Sequence, residues 1–554
     1  MKRMKIYGPP GTGKTTTLQQ IIEYAQGEIT SFPLKDLEKE LITKVDTNDI
    51  AFVSFTNTAI DVLAERTGIP ARTKKAQYFR TFHGLALSVL KDHFDKDAVR
   101  NLKYLKNAQA TFAAKMGYYY SKDPFSFAEG NRMFHKITYV IERYLPILQN
   151  VENTLRMLED PKEIKFALKW FEFKKEKRLM DYDDILITAF EHVDEFYVPV
   201  KIAIIDEAQD LGLLEFYLLE HAFSDSGYVI LAGDPLQSIY SFKGADPRLF
   251  ARWKADKIFT LQKSYRLPLK IWLLAQSFAL TISKKLVTNY RPANLDRIGD
   301  VKILNFEDAI RYAVEKAKSG DKVLILSRTN SIVQTVAMEL ALKYSIAYSH
   351  LKRHSYFESY LLGLIKAVNI LKNLDTITRT LFSNSLFLSE TDWINALIKR
   401  AKNKHTRYVL TEFKEKQKMN LEVLQVLQKI RTNFENEIYL TEFDKKVLAA
   451  HFLNKKVVDL TKKLFVDTIH AAKGEEADVV IFVNAISKRK DKYLNMNDIY
   501  EKLVQYVALT RARKELVFAE DVKLSYKQTT NYVDTGELLN LLRTYKNEVI
   551  TMLA

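Results

Sequence analysis

Residues Gly8-Pro9-Pro10-Gly11-Thr12-Gly13-Lys14-Thr15 fit the pattern G-x-x-x-x-G-K-[ST]. Glycines in such a loop let successive backbone N–H groups turn inward around an anion. The Lys14 ammonium is a point charge suited to the β and γ oxygens of a nucleoside triphosphate, and the Thr15 hydroxyl is suited to magnesium. Thr16 opens the helix that should follow and belongs to the same candidate nucleotide-binding set. Farther along, the apolar run Ile202-Ala203-Ile204-Ile205 ends in Asp206-Glu207. Asp206 would hold the magnesium, directly or through water, and Glu207 would polarise an attacking water as general base. Acidic residues after a strand also serve simply to begin the next helix; the phosphate loop elsewhere in the chain favours the chemical reading.

Such groups need rigid elements to position them. Met4-Lys5-Ile6-Tyr7 reads as a strand before the phosphate loop, and Thr16 to Tyr24 as a helix after it. Similar apolar runs recur at Ala51–Phe55, Ile202–Ile205, Tyr228–Leu231, Val323–Leu326 and Val479–Val483. They suit buried parallel strands, with amphipathic helices between them. The runs fall into two groups, one ending near Leu261 and one beginning near Val301. The fold class expected is α/β, with two parallel-sheet domains. Residues 87–180 and 376–455 carry helical patterning without buried-strand runs, so each reads as a mainly helical insertion. The boundaries expected are 1–86 with 181–268 for the first α/β domain and 269–375 with 456–554 for the second.

Composition narrows the partners. The chain has 554 residues, with 84 Lys+Arg against 68 Asp+Glu and a formal net charge of +16. That excess suits a polyanion such as nucleic acid, or serves solubility alone. There are no cysteines, which excludes disulfides, thiolate zinc sites and cysteine nucleophiles. No run approaches the ~18 consecutive apolar residues of a membrane span. No apolar stretch follows the basic Met1–Lys5, so no signal peptide is expected, and the expected location is cytoplasmic.

An ordered series of blocks resembles the superfamily 1 helicases of the UvrD/Rep/PcrA type. After the phosphate loop come Phe55-Thr56-Asn57, Thr81-Phe82-His83-Gly84 and Asp206-Glu207-Ala208-Gln209-Asp210. Gly233 to Ala245 follows, with Gln237-Ser238-Ile239-Tyr240 at its centre, and then Ser264-Tyr265-Arg266 and Ser327-Arg328-Thr329-Asn330. Thr468 to Glu476 and Tyr506 to Ala512 complete the series. The resemblance implies two RecA-like domains, the family's 1A and 2A, with 87–180 and 376–455 as insertions 1B and 2B.

The resemblance also implies roles. Gln237 should sense the γ-phosphate or its attacking water, Tyr265 should stack on adenine, and Glu476 should contact the ribose. Arg266 and Arg511 should reach the γ-phosphate as arginine fingers, giving with Lys14, Glu207 and Gln237 the expected catalytic set. With Arg511 in the second α/β group, the ATP site would lie between domains, closing with nucleotide and opening after hydrolysis. Taken alone, both arginines would read first as surface ion pairs, and the ordered series of blocks reverses that preference.

Phe55, Tyr240 and Phe242 fall where the family's strand-contacting aromatics lie. Stacking on such rings is worth roughly 1–3 kcal/mol per base and hardly depends on sequence. Thr56, Asn57, Thr81, His83, Lys243, Arg328, Asn330, Thr468 and His470 are candidate DNA contacts on the same ground. Core packing is the competing reading for the aromatics, strongest for Phe55, and His83 and His470 could be satisfied core histidines. Neither histidine has a second ligand at metal-ligand spacing. Lys174, Lys175, Lys177 and Arg178 form one basic run and Lys488, Arg489, Lys490 and Lys492 another, each offering a general electrostatic pull.

The chain departs from the family's pattern in several places. The phosphate loop starts at residue 8, so the glutamine segment that reads adenine in relatives is not expected, and strict adenine selectivity is not implied. Phe242 and Lys243 stand where relatives more often carry Trp and Arg, and Glu475 stands where leucine is usual. The second insertion is short for the family. Only residues 513–554 follow the last block, so no fused nuclease is expected. The implied function is an ATP- and Mg2+-dependent DNA helicase or translocase. It would move 3′→5′ on single-stranded DNA and unwind duplex. The alternative is a translocase that displaces proteins or serves a partner protein without processive unwinding. RNA is the lesser candidate substrate, since stacking platforms alone do not sense the 2′-OH.

Overall fold

The computed structural model describes residues 1–121, 128–344, 346–351, 392–416, 421–440, 458–487, 498–522 and 529–544, with a few single positions between them. The chain divides into two compact units. The first comprises Met1–Asp300, Arg489–Arg513 and Val533–Ala554; the second comprises Val301–Lys488 and Lys514–Tyr532.

The first unit is built on a six-stranded sheet. Its strands are β1 (Lys2–Tyr7), β2 (Ile50–Ser54), β3 (Phe79–Thr81), β4 (Ile202–Ile205), β5 (Tyr228–Gly233) and β6 (Lys257–Thr260). They lie in the order β3-β2-β4-β5-β1-β6, and every pairing is parallel. β2, β4 and β5 are buried throughout, which explains their unbroken apolar runs. One face holds Ile6, Phe52, Ile204 and Ile230 against Leu18, Ile21, Ile22 and Ala25 of α1 (Lys14–Gln26) and Ile60 and Leu63 of α2 (Asn57–Thr67). The spacing of those α1 positions is that of a single helix face.

The other face packs α3 (Phe82–Val89), α4 (Glu129–Leu148), α5 (Pro161–Glu176), α6 (Tyr182–Glu191) and α7 (Leu213–Ala222) into one continuous core. Phe112, Phe134, Phe166 and Trp170 pack edge-on or tilted with ring centroids 5.0–6.4 Å apart, so the first insertion is centred on aromatic rings. That cluster runs on into Ala51, Val53, Ile205 and Leu231 of the sheet, which makes the insertion an extension of the sheet's core. Helix α8 (Leu269–Ile282) also belongs to this unit.

The second unit has a five-stranded sheet of β7 (Asp300–Asn305), β8 (Val323–Ser327), β9 (Leu464–Thr468), β10 (Ala477–Val483) and β11 (Ala512–Glu520), in the order β9-β8-β10-β11-β7. β8 pairs in parallel with both β9 and β10. Helices α9 (Phe306–Lys318) and α10 (Asn330–Leu342) pack against this sheet. Of the second insertion, α11 (Asp392–Arg400), α12 (Lys404–Lys416) and α13 (Leu421–Thr432) are described, and Leu397, Leu410 and Leu427 join the same core. Helix α14 (Ile499–Leu509) counts with the first unit, where it packs against α8. Among the described residues no helix is long and apolar enough to cross a membrane.

Candidate functional site

A parallel sheet delivers its loops to one edge, and ligands of open α/β sheets bind beyond the carboxyl ends of the strands. Here the neighbours β4, β5 and β1 end in register, with Ile205 opposite Leu231 and Tyr7 opposite Gly233. The residues that follow are Asp206-Glu207, Asp234 to Gln237 and the loop from Gly8. Three segments far apart in sequence therefore meet because the strand order places them side by side.

The phosphate loop is held from several directions. Gly8 N–H donates to the Gly233 carbonyl at 2.9 Å, and the Thr12 hydroxyl to the Pro9 carbonyl at 2.8 Å. The segment after β6 is sewn to the loop as well: the Ser264 hydroxyl donates to the Pro10 carbonyl at 2.7 Å and Tyr265 N–H to the Gly11 carbonyl at 2.8 Å. Gly11 has φ +71, and a Cβ there would lie 2.2 Å from Cβ of Arg266. A side chain at residue 11 would thus be strained and would push Arg266 away.

Lys14 opens α1 and turns back across the loop. Its Nζ lies 2.7 Å from Asp206 Oδ1 and 2.6 Å from Glu207 Oε1. Burial opposes its charge, but pairing with Asp206 and Glu207 outweighs this and raises its pKa. Burial raises the Asp206 carboxyl, with Lys14 pulling the other way. Glu207 sits at φ 56, a left-handed conformation uncommon outside glycine, and Gln209 Nε2 donates to its carboxylate. The pocket therefore combines a glycine cradle, a cation and two carboxylates at hydrogen-bond range, with the half-buried Thr15 one residue from Lys14. That donor set fits a triphosphate with its magnesium, because phosphate oxygens can replace the carboxylates around Lys14 and free them for the metal.

Gln237 and both candidate arginine fingers lie in this unit, Arg511 included, although the expected boundaries put residue 511 in the second α/β domain. Gln237 Nε2 donates to Asp234 Oδ2 at 2.8 Å, and Arg511 Nη2 donates to Gln237 Oε1 at 2.8 Å. Arg511 is 1% exposed, and its Nε also donates to the Val507 carbonyl at 2.9 Å. Arg266 Nη1 donates to the Thr510 carbonyl at 3.2 Å. Tyr265 is 67% exposed, its ring open to a planar ligand. Glu476 belongs to the second unit and immediately precedes β10, at the sheet edge opposite the end of β9.

The candidate DNA contacts form two groups. In the first unit, Phe55 and Tyr240 stack with ring centroids 4.7 Å apart and planes 22° apart, and Phe242 meets Tyr240 edge-on at 6.2 Å. Lys243 Nζ lies 5.7 Å from the Phe55 ring centroid. Tyr240 is 5% exposed, covered in part by Phe55, so the outer rings are Phe55 and Phe242. Thr56 and Thr81 cap α2 and α3, accepting from Ala59 N–H at 3.2 Å and Gly84 N–H at 3.3 Å. Asn57 is exposed, and its Oδ1 accepts from Arg72 at 3.3 Å. His83 packs edge-on to Tyr182 at 5.5 Å, and burial, with Lys243 nearby, holds its imidazole at about 4, neutral at physiological pH. In the second unit, Ser327 of β8 is the register partner of Thr468 of β9. This brings Arg328 and Asn330 beside Thr468 and His470 at one edge; Arg328, Thr468 and His470 are buried.

Lys174 does not share the solvated face of its basic run. It is 3% exposed and pairs with Asp181 at 2.9 Å and Asp184 at 2.7 Å, while Lys175, Lys177 and Arg178 point outward. Lys488, Arg489, Lys490 and Lys492 lie outside the described residues.

Several supporting residues draw no role from the sequence: Asp234 sits inside the Gly233–Ala245 block, while Arg297 and Glu142 fall in no motif. Asp234 orients Gln237, and burial lifts its carboxyl to about 6. Arg297 donates to the carbonyls of Tyr265 at 3.0 Å, Arg266 at 3.4 Å and Arg513 at 2.6 Å, pinning both arginine segments. Glu142 of α4 is buried against Gly212, where a Cβ would lie 2.2 Å from its Oε2, so the insertion braces the start of α7 behind Asp206-Glu207.

Residues 1–257 match the model of the UvrD/REP helicase N-terminal domain and residues 463–519 that of the UvrD-like helicase C-terminal domain. Together the matches cover more than half of the chain, and it belongs to the UvrD/Rep helicase family. Among similar proteins, a probable DNA helicase II homolog of Mycoplasma genitalium is 24% identical, over 97% of this chain and 86% of its own length. The ATP-dependent DNA helicase Rep of Buchnera aphidicola (subsp. Acyrthosiphon pisum) is 23% identical, over 89% of this chain and 90% of its own length.

Proposed function

We propose that this chain is a DNA-stimulated ATPase that moves 3′→5′ along single-stranded DNA and unwinds duplex, coupling hydrolysis to inter-domain closure. The observation that carries the reading is the convergence of Lys14, Asp206, Glu207, Gln237 and Arg511 at one sheet edge, with the Phe55–Tyr240–Phe242 aromatic set on the same unit. Thr15 and Asp206 would hold magnesium, which would supply charge neutralisation and orientation of the phosphates. Lys14 binds the β and γ oxygens, releasing Glu207 to take a proton from water. Gln237, fixed by Asp234, positions that water against the γ-phosphate, and Arg266 and Arg511 stabilise the charge that develops on it. Tyr265 stacks on the base, and Glu476 contacts the ribose.

Phe55 and Phe242 supply base-tolerant stacking for the strand, with Lys243 adding charge. Thr56, Asn57, Thr81 and His83 in the first unit, and Arg328, Asn330, Thr468 and His470 in the second, are the remaining candidate strand contacts. The direction follows from the family resemblance. Duplexes with a single 3′ or 5′ tail test it: unwinding from the 3′ tail is expected, and preference for the 5′ tail would overturn the polarity. The shortness of the second insertion favours the alternative, a translocase that displaces proteins or serves a partner. Robust unwinding of long duplexes by the isolated chain would exclude it.

A further inference from the structure

Helices α3 and α6 run side by side, and histidines mark both ends of the pair. His83 meets Tyr182 where the helices begin. Where they end, His93 and His192 lie with ring centroids 3.8 Å apart and planes tilted by 35°. Glu195 spans the two rings: its Oε2 is 2.8 Å from His93 Nε2 and its Oε1 is 3.3 Å from His192 Nδ1. One donor atom from each residue lies within 4.8 Å of the others. No Lys or Arg pairs with Glu195 among the described residues. None of the three residues belongs to the nucleotide site or the strand-contacting set.

We propose that His93, His192 and Glu195 form a binding site for one divalent transition-metal ion, with water completing its coordination. Two metal–ligand arms of about 2.0–2.1 Å at a tetrahedral angle place their donors roughly 3.4 Å apart. The observed 2.8 Å and 3.3 Å separations both fall short of that distance, so the side chains need only open slightly around Glu195 to admit an ion. Two imidazoles and one carboxylate select zinc, nickel or cobalt over magnesium and calcium, which prefer oxygen ligands throughout. His192 caps α6, where the carbonyl end of the helix favours a cation. The ion would tie the segment after α3 to the segment after α6. It would thereby fix the far end of the helix pair whose near end carries His83.

The test uses the full chain stripped of metal with EDTA. ZnCl2 and NiCl2 are titrated by calorimetry and by thermal unfolding, with MgCl2 as the control. Saturable binding of one Zn2+ or Ni2+ per chain and a metal-dependent rise in Tm are expected, with no competition from excess Mg2+. His93→Ala and His192→Ala should each weaken binding by more than the roughly 10–100-fold that loss of an outer-shell partner costs. Asp206→Asn should leave it unchanged. Circular dichroism of the metal-free protein and the ATPase rate in MgCl2 check that the histidine variants are folded, and His192→Gln substitutes if the alanine variant is not. Absence of saturable binding overturns the proposal, as does binding that survives both histidine variants or disappears in Asp206→Asn.

Discussion

Arg511 Nη2 donates a hydrogen bond to Gln237 Oε1 at 2.8 Å, and Gln237 in turn donates to Asp234. The guanidinium is buried and anchored by the Val507 carbonyl, so the protein itself fixes its position. An arginine finger is worth roughly 10³–10⁵ in rate. Arg511→Ala should therefore lower kcat for ATP hydrolysis about 10³-fold or more, and Arg511→Lys should rescue little of it, because lysine lacks the fork that meets Gln237 and Val507 together. Steady-state ATPase assays with saturating single-stranded DNA, paired with nucleotide-binding titrations, read the two effects separately.

Gly11→Ala should be nearly as damaging without removing a functional group. The new methyl would meet Arg266 at 2.2 Å from a backbone at φ +71. The left-handed backbone alone costs roughly 1–2 kcal/mol for a non-glycine residue. A fall in kcat larger than the fall in Tm accounts for is expected, measured by ATPase rate and thermal unfolding on the same preparation.

Much of this site was legible in the sequence. The loop from Gly8 to Thr15 and the carboxylates Asp206 and Glu207 stood out by residue type after apolar strands, and the structure brings Lys14 to both carboxylates. The α/β class followed from unbroken apolar runs, since a strand buried on both faces cannot alternate. The supporting network was not legible. Arg297 acts through hydrogen bonds that exist only once distant segments are adjacent, and Asp234 lies inside the Gly233–Ala245 block but shows its hold on Gln237 only in the structure. Glu142 is a carboxylate on a helical insertion, and nothing local marks it as buried. Lys174 looked like one lysine of a solvated run, but helical periodicity turns it inward, between Asp181 and Asp184.

Phe55 and Lys243 should separate stacking from charge. Phe55→Ala is expected to weaken single-stranded DNA binding by roughly 1–3 kcal/mol with little change in the salt dependence. Lys243→Ala should weaken binding and reduce the slope of log affinity against log salt by about 1. Fluorescence anisotropy at several salt concentrations measures both.

Stability should fall as pH rises through the carboxylate cluster behind the site. Burial lifts Glu215 from 4.5 to about 7 and Asp183 from 3.8 to about 8, and raises Glu142 well above its usual range. A carboxyl whose pKa is raised by folding contributes stability at low pH and loses it as pH climbs from its unfolded to its folded pKa. For Glu215 that window runs from 4.5 to about 7. Glu215→Gln keeps an acceptor for the Gly212 N–H and should flatten the decline of Tm across the window, by an amount on the order of several °C. Thermal unfolding followed by circular dichroism between pH 5 and pH 9, on wild type and variant, checks this.

The central claim is that Lys14, Asp206, Glu207, Gln237 and Arg511 form an ATPase site governed by nucleic acid. The most direct measurement is the ATPase rate of the purified chain with and without single-stranded DNA at fixed salt, beside Lys14→Ala. The account predicts a rate that rises with DNA and vanishes in the variant. A rate indifferent to DNA, or one that survives the loss of Lys14, would contradict it.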